Sequence, residues 1–249
     1  MGNLKPGGLT VDREVAMSST IDRSLLRPEI PAKSSLWRVR KPLLVCGIAA
    51  SLLYGAMIWV IRYEGYSPIS QTVSELSAWG VSTRPLWMVL GSLYDALMIA
   101  FALGVWASAN GKRTLRIVGG LLLAYGLLGL AWPFASMHQR QVLAAGGGTL
   151  ADTGHLVLAG VTVALMFAAM AFGAGAFGTR FRIYSIATIV ILLAFGALTS
   201  SNASRVAANL PTPWAGLWER INIVVFLIWV VVMAVVLLRT QAEDSQNRS

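Results

Sequence analysis

The sequence predicts an all-α, polytopic membrane protein. Its architecture is a six-transmembrane-helix bundle with a short amphipathic interfacial helix in the first outer loop. Three observations carry this. Apolar residues make up 56% of the chain and charged residues only 12%, where a soluble domain holds about 25% charged residues. Such a chain cannot clothe a water-exposed surface, so lipid must be its solvent. The apolar residues also gather in six runs, each near the roughly 20 residues that cross a hydrocarbon core, and no run alternates regularly as a membrane β-strand would over about ten residues.

The chain opens with a polar, mixed-charge stretch, residues 1–41, read as a disordered cytoplasmic tail. It has no apolar core and no small-residue cleavage site, so it does not read as a secretory signal. Its end, Trp37-Arg38-Val39-Arg40-Lys41, reads as an aromatic and basic interfacial anchor. A membrane domain follows at 42–240, with spans expected near 43–61, 85–107, 117–134, 153–177, 183–199 and 221–238, and a short cytoplasmic tail at 241–249. The fifth span is the shortest and rich in small residues, which predicts a place inside the bundle. Cys46, the single cysteine, falls within the first span, where it cannot form an intramolecular disulfide or a cysteine-based zinc cluster.

Charge sets the orientation. The chain carries +9 at pH 7, but the cations sit in tails and short loops, the pattern of a topology signal and not of a nucleic-acid surface. With six crossings, Lys112, Arg113, Arg116, Arg180, Arg182 and Arg239 share a side with Arg38, Arg40 and Lys41. The positive-inside rule then places both termini of this multi-pass cell-membrane protein in the cytoplasm. Three longer loops lie on the other side. In the first, Ser67 and Pro68 suit a helix start and Gly80 its end. Ile69, Val73 and Leu76 share one face, Ser70, Ser74 and Ser77 the other, and Glu75 sits on the flank.

Polar residues in or beside the spans are the candidate site. Asp95 lies about ten residues into the second span, near mid-membrane, where a carboxylate is costly and marks a proton or ion site or a hydrogen-bonded pair. Tyr94 and Tyr125 stand at matching depth as partners. Asp152 and His155 are three residues apart at the start of the fourth span and share a helix face. Either Asp152 caps the helix, or it orients the imidazole of His155 for proton or metal chemistry. Glu75 and His138 fall on the same side, so Glu75, His138, Asp152 and His155 form the candidate catalytic set. Zinc would need a third ligand beside the two histidines, from Asp152, Glu75 or Glu219, and no diagnostic spacing marks one. Ser70 and Ser74 are candidate nucleophiles or substrate contacts if a histidine reaches them. Glu219 and Arg220 open the sixth span as an interfacial ion pair, or Arg220 and Arg140 grip an anionic head group.

Several motifs together resemble a known family: Tyr66-Ser67-Pro68-Ile69-Ser70, Ser74-Glu75-Leu76-Ser77, Pro85-Leu86-Trp87, Tyr94-Asp95, Trp132-Pro133-Phe134, Met137-His138-Gln139-Arg140, Asp152 with His155, and Trp218-Glu219-Arg220-Ile221-Asn222. The chain is similar, from about residue 43 to 239, to the domain-of-unknown-function family numbered 998, predicted membrane proteins of bacteria and archaea. The resemblance implies a six-helix integral membrane protein and no particular activity. Three function classes stand on the residues: a membrane-embedded enzyme acting on a lipid or lipid-linked substrate at the outer leaflet, a transporter or lipid-binding module using Asp95, and a structural or assembly protein. Membrane lipids are the expected partners.

Overall fold

The structure, a computed structural model, describes Gly2 and residues 35–246, with side chains over 39–240. Residues 3–34 and 247–249 of the two expected tails lie outside the described residues. Within it, helix runs further into both tails than the apolar pattern alone indicates. Helix α1 spans Ser35–Val60, and the last helix, α8, spans Ala215–Gln246. Between them come α2 (Arg84–Ala107), α3 (Arg113–Gly129), α4 (Arg140–Ala144), α5 (Leu150–Gly173), α6 (Thr179–Ser200) and α7 (Ala203–Ala207). Six of these helices are long and apolar enough to cross a membrane, and the protein is a multi-pass membrane protein. The short α4 and α7 lie in the long loops.

The six long helices pack as a closed ring. Each of α1, α2, α3, α5, α6 and α8 lies against the next, and α8 returns to α1. The seam between α5 and α6 is the thinnest of the ring. Toward the end that carries the termini, the ring is filled by large side chains. Phe101, Met170, Phe226, Trp229 and Met233 are fully buried there, and the Trp229 indole donates to Ser185 Oγ at 3.0 Å, which satisfies its N–H inside an apolar core. Toward the opposite end, here termed the loop face, the ring is open at its centre and closed above by the loops.

The expected interior place of the fifth span is corrected. Only 17% of its most apolar window is buried, against 44% for the last span. Ile183, Ile186, Val190 and Leu193 of α6 are exposed, and a narrow stripe of Ser185, Thr188 and Leu192 forms its buried seam. Small residues here thin one contact stripe instead of allowing contact all round. The glycines in and beside the spans divide likewise. Gly119, Gly126, Gly129 and Gly173 leave no room for a methyl group, whereas Gly120 has ordinary clearance and Gly178 has open space.

The first long loop also folds more tightly than one amphipathic helix. A turn over Ser67–Gln71, closed by Gln71 N–H to Ser67 O at 2.8 Å, leads to a 3-10 helix at Val73–Ser77. Val73 and Leu76 face inward as their spacing predicts, but Glu75 is buried as well, at 2% exposure. The loop is plugged into the ring. Gly216 on α8 explains how it comes so close, since any Cβ there would strike the carbonyl oxygens of Pro68 and Gln71.

Candidate functional site in the membrane ring

The loop face is held by two buried arginines. Arg140 donates from Nε to Glu75 Oε1 at 2.6 Å and from the second guanidinium nitrogen to Oε2 at 2.8 Å. Such a bidentate pair matches planar fork to planar carboxylate. A third Arg140 nitrogen donates to Thr212 Oγ1 at 2.9 Å, tying the second and third loops to the first. Glu75 also accepts from the Thr72 N–H at 2.7 Å, the Thr72 hydroxyl at 2.9 Å and Gln71 Nε2 at 3.2 Å. It therefore caps its own 3-10 helix while anchoring the arginine.

Arg220 is 1% exposed. Its guanidinium donates to four backbone carbonyls, Ile58 at 2.9 Å, Pro68 at 2.6 Å, Gln71 at 3.2 Å and Gly216 at 3.0 Å, and to the Tyr66 hydroxyl at 2.7 Å. Burial holds the Tyr66 phenol well above its ordinary range, although the Arg220 hydrogen bond pulls the other way. Burial raises the Tyr63 phenol too, and the Glu75 charge adds to that. The expected head-group grip by Arg140 and Arg220 is corrected, because both guanidiniums are buried among protein acceptors. The expected Glu219–Arg220 ion pair is corrected as well. Glu219 turns instead to the 3-10 helix, accepting from the Val73 N–H and, at 3.2 Å, from the Ser74 hydroxyl. A carboxylate there satisfies amide groups at a helix start, which have no partner within the helix.

Asp152 behaves as a cap. At the start of α5 it accepts the Thr149 N–H at 2.8 Å, and Thr149 Oγ1 accepts the Ala151 N–H at 3.2 Å, a reciprocal capping box. Its carboxylate also takes the His138 N–H at 2.7 Å and His138 Nδ1 at 2.8 Å. The expected Asp152–His155 pair is thus corrected to Asp152–His138. Side chains in a helix tilt toward its N-terminus, so Asp152 reaches back over the loop and away from His155. His155 Nδ1 instead meets the Ala135 carbonyl at 2.9 Å, and its ring stands edge-on to Trp132 at 5.0 Å. That carbonyl accepts the Nδ1–H and leaves Nε2 as the ring nitrogen with no protein partner among the described residues.

Below the plugged loop, the centre of the ring is a cavity of about 430 Å³. Asp95, His155, Glu219, Ser74 and Asn222 line it, together with a wall of aromatic rings. Asp95 lies halfway along α2 and is 7% exposed. Its carboxyl rests over Gly129 of α3, where any Cβ would collide with it. Among the described residues no group donates a hydrogen bond to it. The expected Tyr94 and Tyr125 partners turn to each other, hydroxyl to hydroxyl at 2.7 Å. The Thr162 hydroxyl, also on the cavity wall, is buried without a partner.

The candidate catalytic residues do not converge. His155 lines the central cavity, Glu75 lines a separate polar hollow with Tyr63, Gln139 and Arg140, and His138 and Asp152 line neither. Ser74 reaches the cavity, whereas the Ser70 hydroxyl donates to Pro213 O at 3.4 Å. Among the described residues no three His, Cys, Asp or Glu side chains come together as a metal site. Sequence reasoning missed Tyr66 and Asn222 as working parts. Asn222 ties α8 to α6 through the Leu192 carbonyl at 2.6 Å, and a polar residue inside an apolar span was the available signal.

Comparison with protein families adds the relationship. A family model described as Protein of unknown function (DUF998) matches residues 45–236. The chain belongs to this family. No curated protein and no solved structure matches the DUF998 chain. The match reaches all six long helices and leaves out only the outer ends of α1 and α8, so the plugged loop and the cavity fall within the family's extent.

Proposed function

We propose that this DUF998 protein binds a lipid-like amphiphile from the bilayer in its central cavity. The carrying observation is Asp95, a carboxyl halfway through the membrane that lines a mostly apolar cavity and has no donor among the described residues. Its carboxyl is open to the cavity and not sealed in the protein, so a bound molecule can reach it, and an ionisable residue at membrane depth marks a functional position by default. Apolar walls suit the tail of a membrane molecule, and Asp95, Glu219 and His155 suit its polar end. The thin α5–α6 seam offers a lateral way in from lipid. The basic residues 112–116, 180–182 and 239 support a topology with both termini in the cytoplasm of a bacterial inner membrane, which sets the loop face and the cavity beneath it on the outer side.

A chemical step on the bound molecule is the second reading, favoured by His155. Its orientation by the Ala135 carbonyl leaves Nε2 free as a proton acceptor in the same cavity. Binding is tested by native mass spectrometry of protein extracted from its own membranes. Wild type should retain a membrane molecule, and Ala159→Phe, which adds a ring to the cavity wall, should lose it. Retention by both would reject the cavity as the site. A bound molecule chemically altered by wild type but not by His155→Ala would establish the second reading.

A further inference from the structure

We infer that the molecule bound in the cavity is a cationic amphiphile, an organic ammonium head on an apolar tail. This rests on the reading of the cavity as a lipid-type binding site, and it names the ligand class. Three features point the same way.

The first is charge. Two carboxyl groups, Asp95 and Glu219, line the cavity, and among the described residues no lysine or arginine does. The arginines at this end of the bundle are engaged elsewhere. Arg140 is held by Glu75 and Arg220 by carbonyls. Arg84 donates to the Ser77 and Pro133 carbonyls and stacks over the Trp79 ring at 3.8 Å. An anionic head group would meet carboxyls here with no guanidinium to offset them.

The second is the wall. Tyr54, Trp87, Tyr94, Tyr125 and Trp132 all line the same cavity. Tyr54 lies 4.5 Å from Tyr94 and stands edge-on to Trp87 at 5.9 Å, with Tyr94 edge-on to Tyr125 at 6.5 Å. Aromatic faces carry negative potential and attract cations, most of all where water is excluded. An ammonium seated against a ring face gains this attraction, and a neutral hydroxyl head does not.

The third is the unmet acceptor. Asp95 is more than nine-tenths buried and lacks any donor among the described residues. A charge brought to this depth is tolerated when a countercharge waits for it. An ammonium supplies both the hydrogen-bond donor and the opposite charge in one group, while a quaternary ammonium supplies the charge alone.

The test is competition binding with the full chain in nanodiscs, with empty nanodiscs as background. The probes are radiolabelled decylammonium below its micellar concentration, displaced by unlabelled decylammonium, decanol or decyl sulfate. The cation should displace the label at about ten-fold lower concentration than decanol, with decyl sulfate weaker still. Asp95→Asn should abolish the advantage of the cation over decanol, and Trp87→Leu should reduce it. The ranking in wild type decides the matter even if a variant fails to fold. Equal displacement by all three probes, or a preference for decyl sulfate, would overturn the inference and leave a lipid-binding cavity standing. No saturable binding by any probe would overturn that cavity reading as well.

Discussion

Glu75 and Asp95 are both carboxylic acids buried to 2% and 7% exposure, yet their surroundings are opposite. Glu75 receives a bidentate guanidinium and three further donors. Asp95, halfway along α2, receives none among the described residues. The loop face spends its polar groups on one another, and the cavity beneath it holds polar groups in reserve. Satisfied networks rigidify and specify a fold. Unsatisfied buried groups lower stability and persist where a ligand or a reaction uses them. On the proposed reading, the loop face is scaffold and the cavity is the binding site.

Substitutions sharpen this contrast, the largest effect first. Arg220→Ala removes five hydrogen bonds that join α1, the first loop and α8. It should cost about 3–5 kcal/mol or abolish folding, read as thermal unfolding in detergent. Arg220→Lys should recover little, because one ammonium cannot reach acceptors spread around a planar fork. Glu75→Gln leaves the Arg140 charge buried without its partner and should cost about 3 kcal/mol. The double change Glu75→Leu with Arg140→Met should be less damaging than either single change, which a double-mutant cycle measures. Equal melting of wild type and Glu75→Gln would remove the scaffold role from this pair.

Asp95→Asn should behave in the opposite way. It deletes no protein hydrogen bond, so melting should stay within about 1 kcal/mol of ligand-free wild type or rise, while ligand binding falls. The smallest effect concerns pH. Burial raises the Tyr66 phenol above its ordinary value of 10.0, so above that pH the unfolded chain releases a proton that the folded chain keeps. Stability is therefore fully present below about pH 10 and declines as pH rises toward the raised folded value. Tyr66→Phe should be less stable by about 1 kcal/mol at neutral pH and should show a flatter decline in alkali. An unchanged alkaline slope in Tyr66→Phe would place the sensitive group elsewhere.

Much of this architecture is legible in the residues. Hydropathy runs near 20 residues locate the six spans because a membrane helix must present apolar side chains along its whole length. Thr149 and Asp152 announce the start of α5 through a local capping pattern. Asp95 stands out as a lone acid in an apolar run. The pairings are another matter. Glu75 and Arg140 lie in different loops, and Arg220 bonds mainly backbone carbonyls, which every residue possesses, so neither contact has a local signature. Asp152 and His155 share a helix face, but helix geometry sends the carboxylate back toward His138. Small residues in the fifth span mark a narrow seam, and composition alone does not say how wide a helix contact is.

The most direct test is made on one sample of Asp95→Asn purified from its own membranes. Its melting temperature and its bound membrane molecules are measured beside those of wild type. The account predicts that the variant loses the bound molecule and melts with wild type stripped of its own molecule, below wild type that still holds it. A variant that melts markedly lower while keeping the molecule would contradict it, making Asp95 part of the scaffold and returning the search for a site to the loop face.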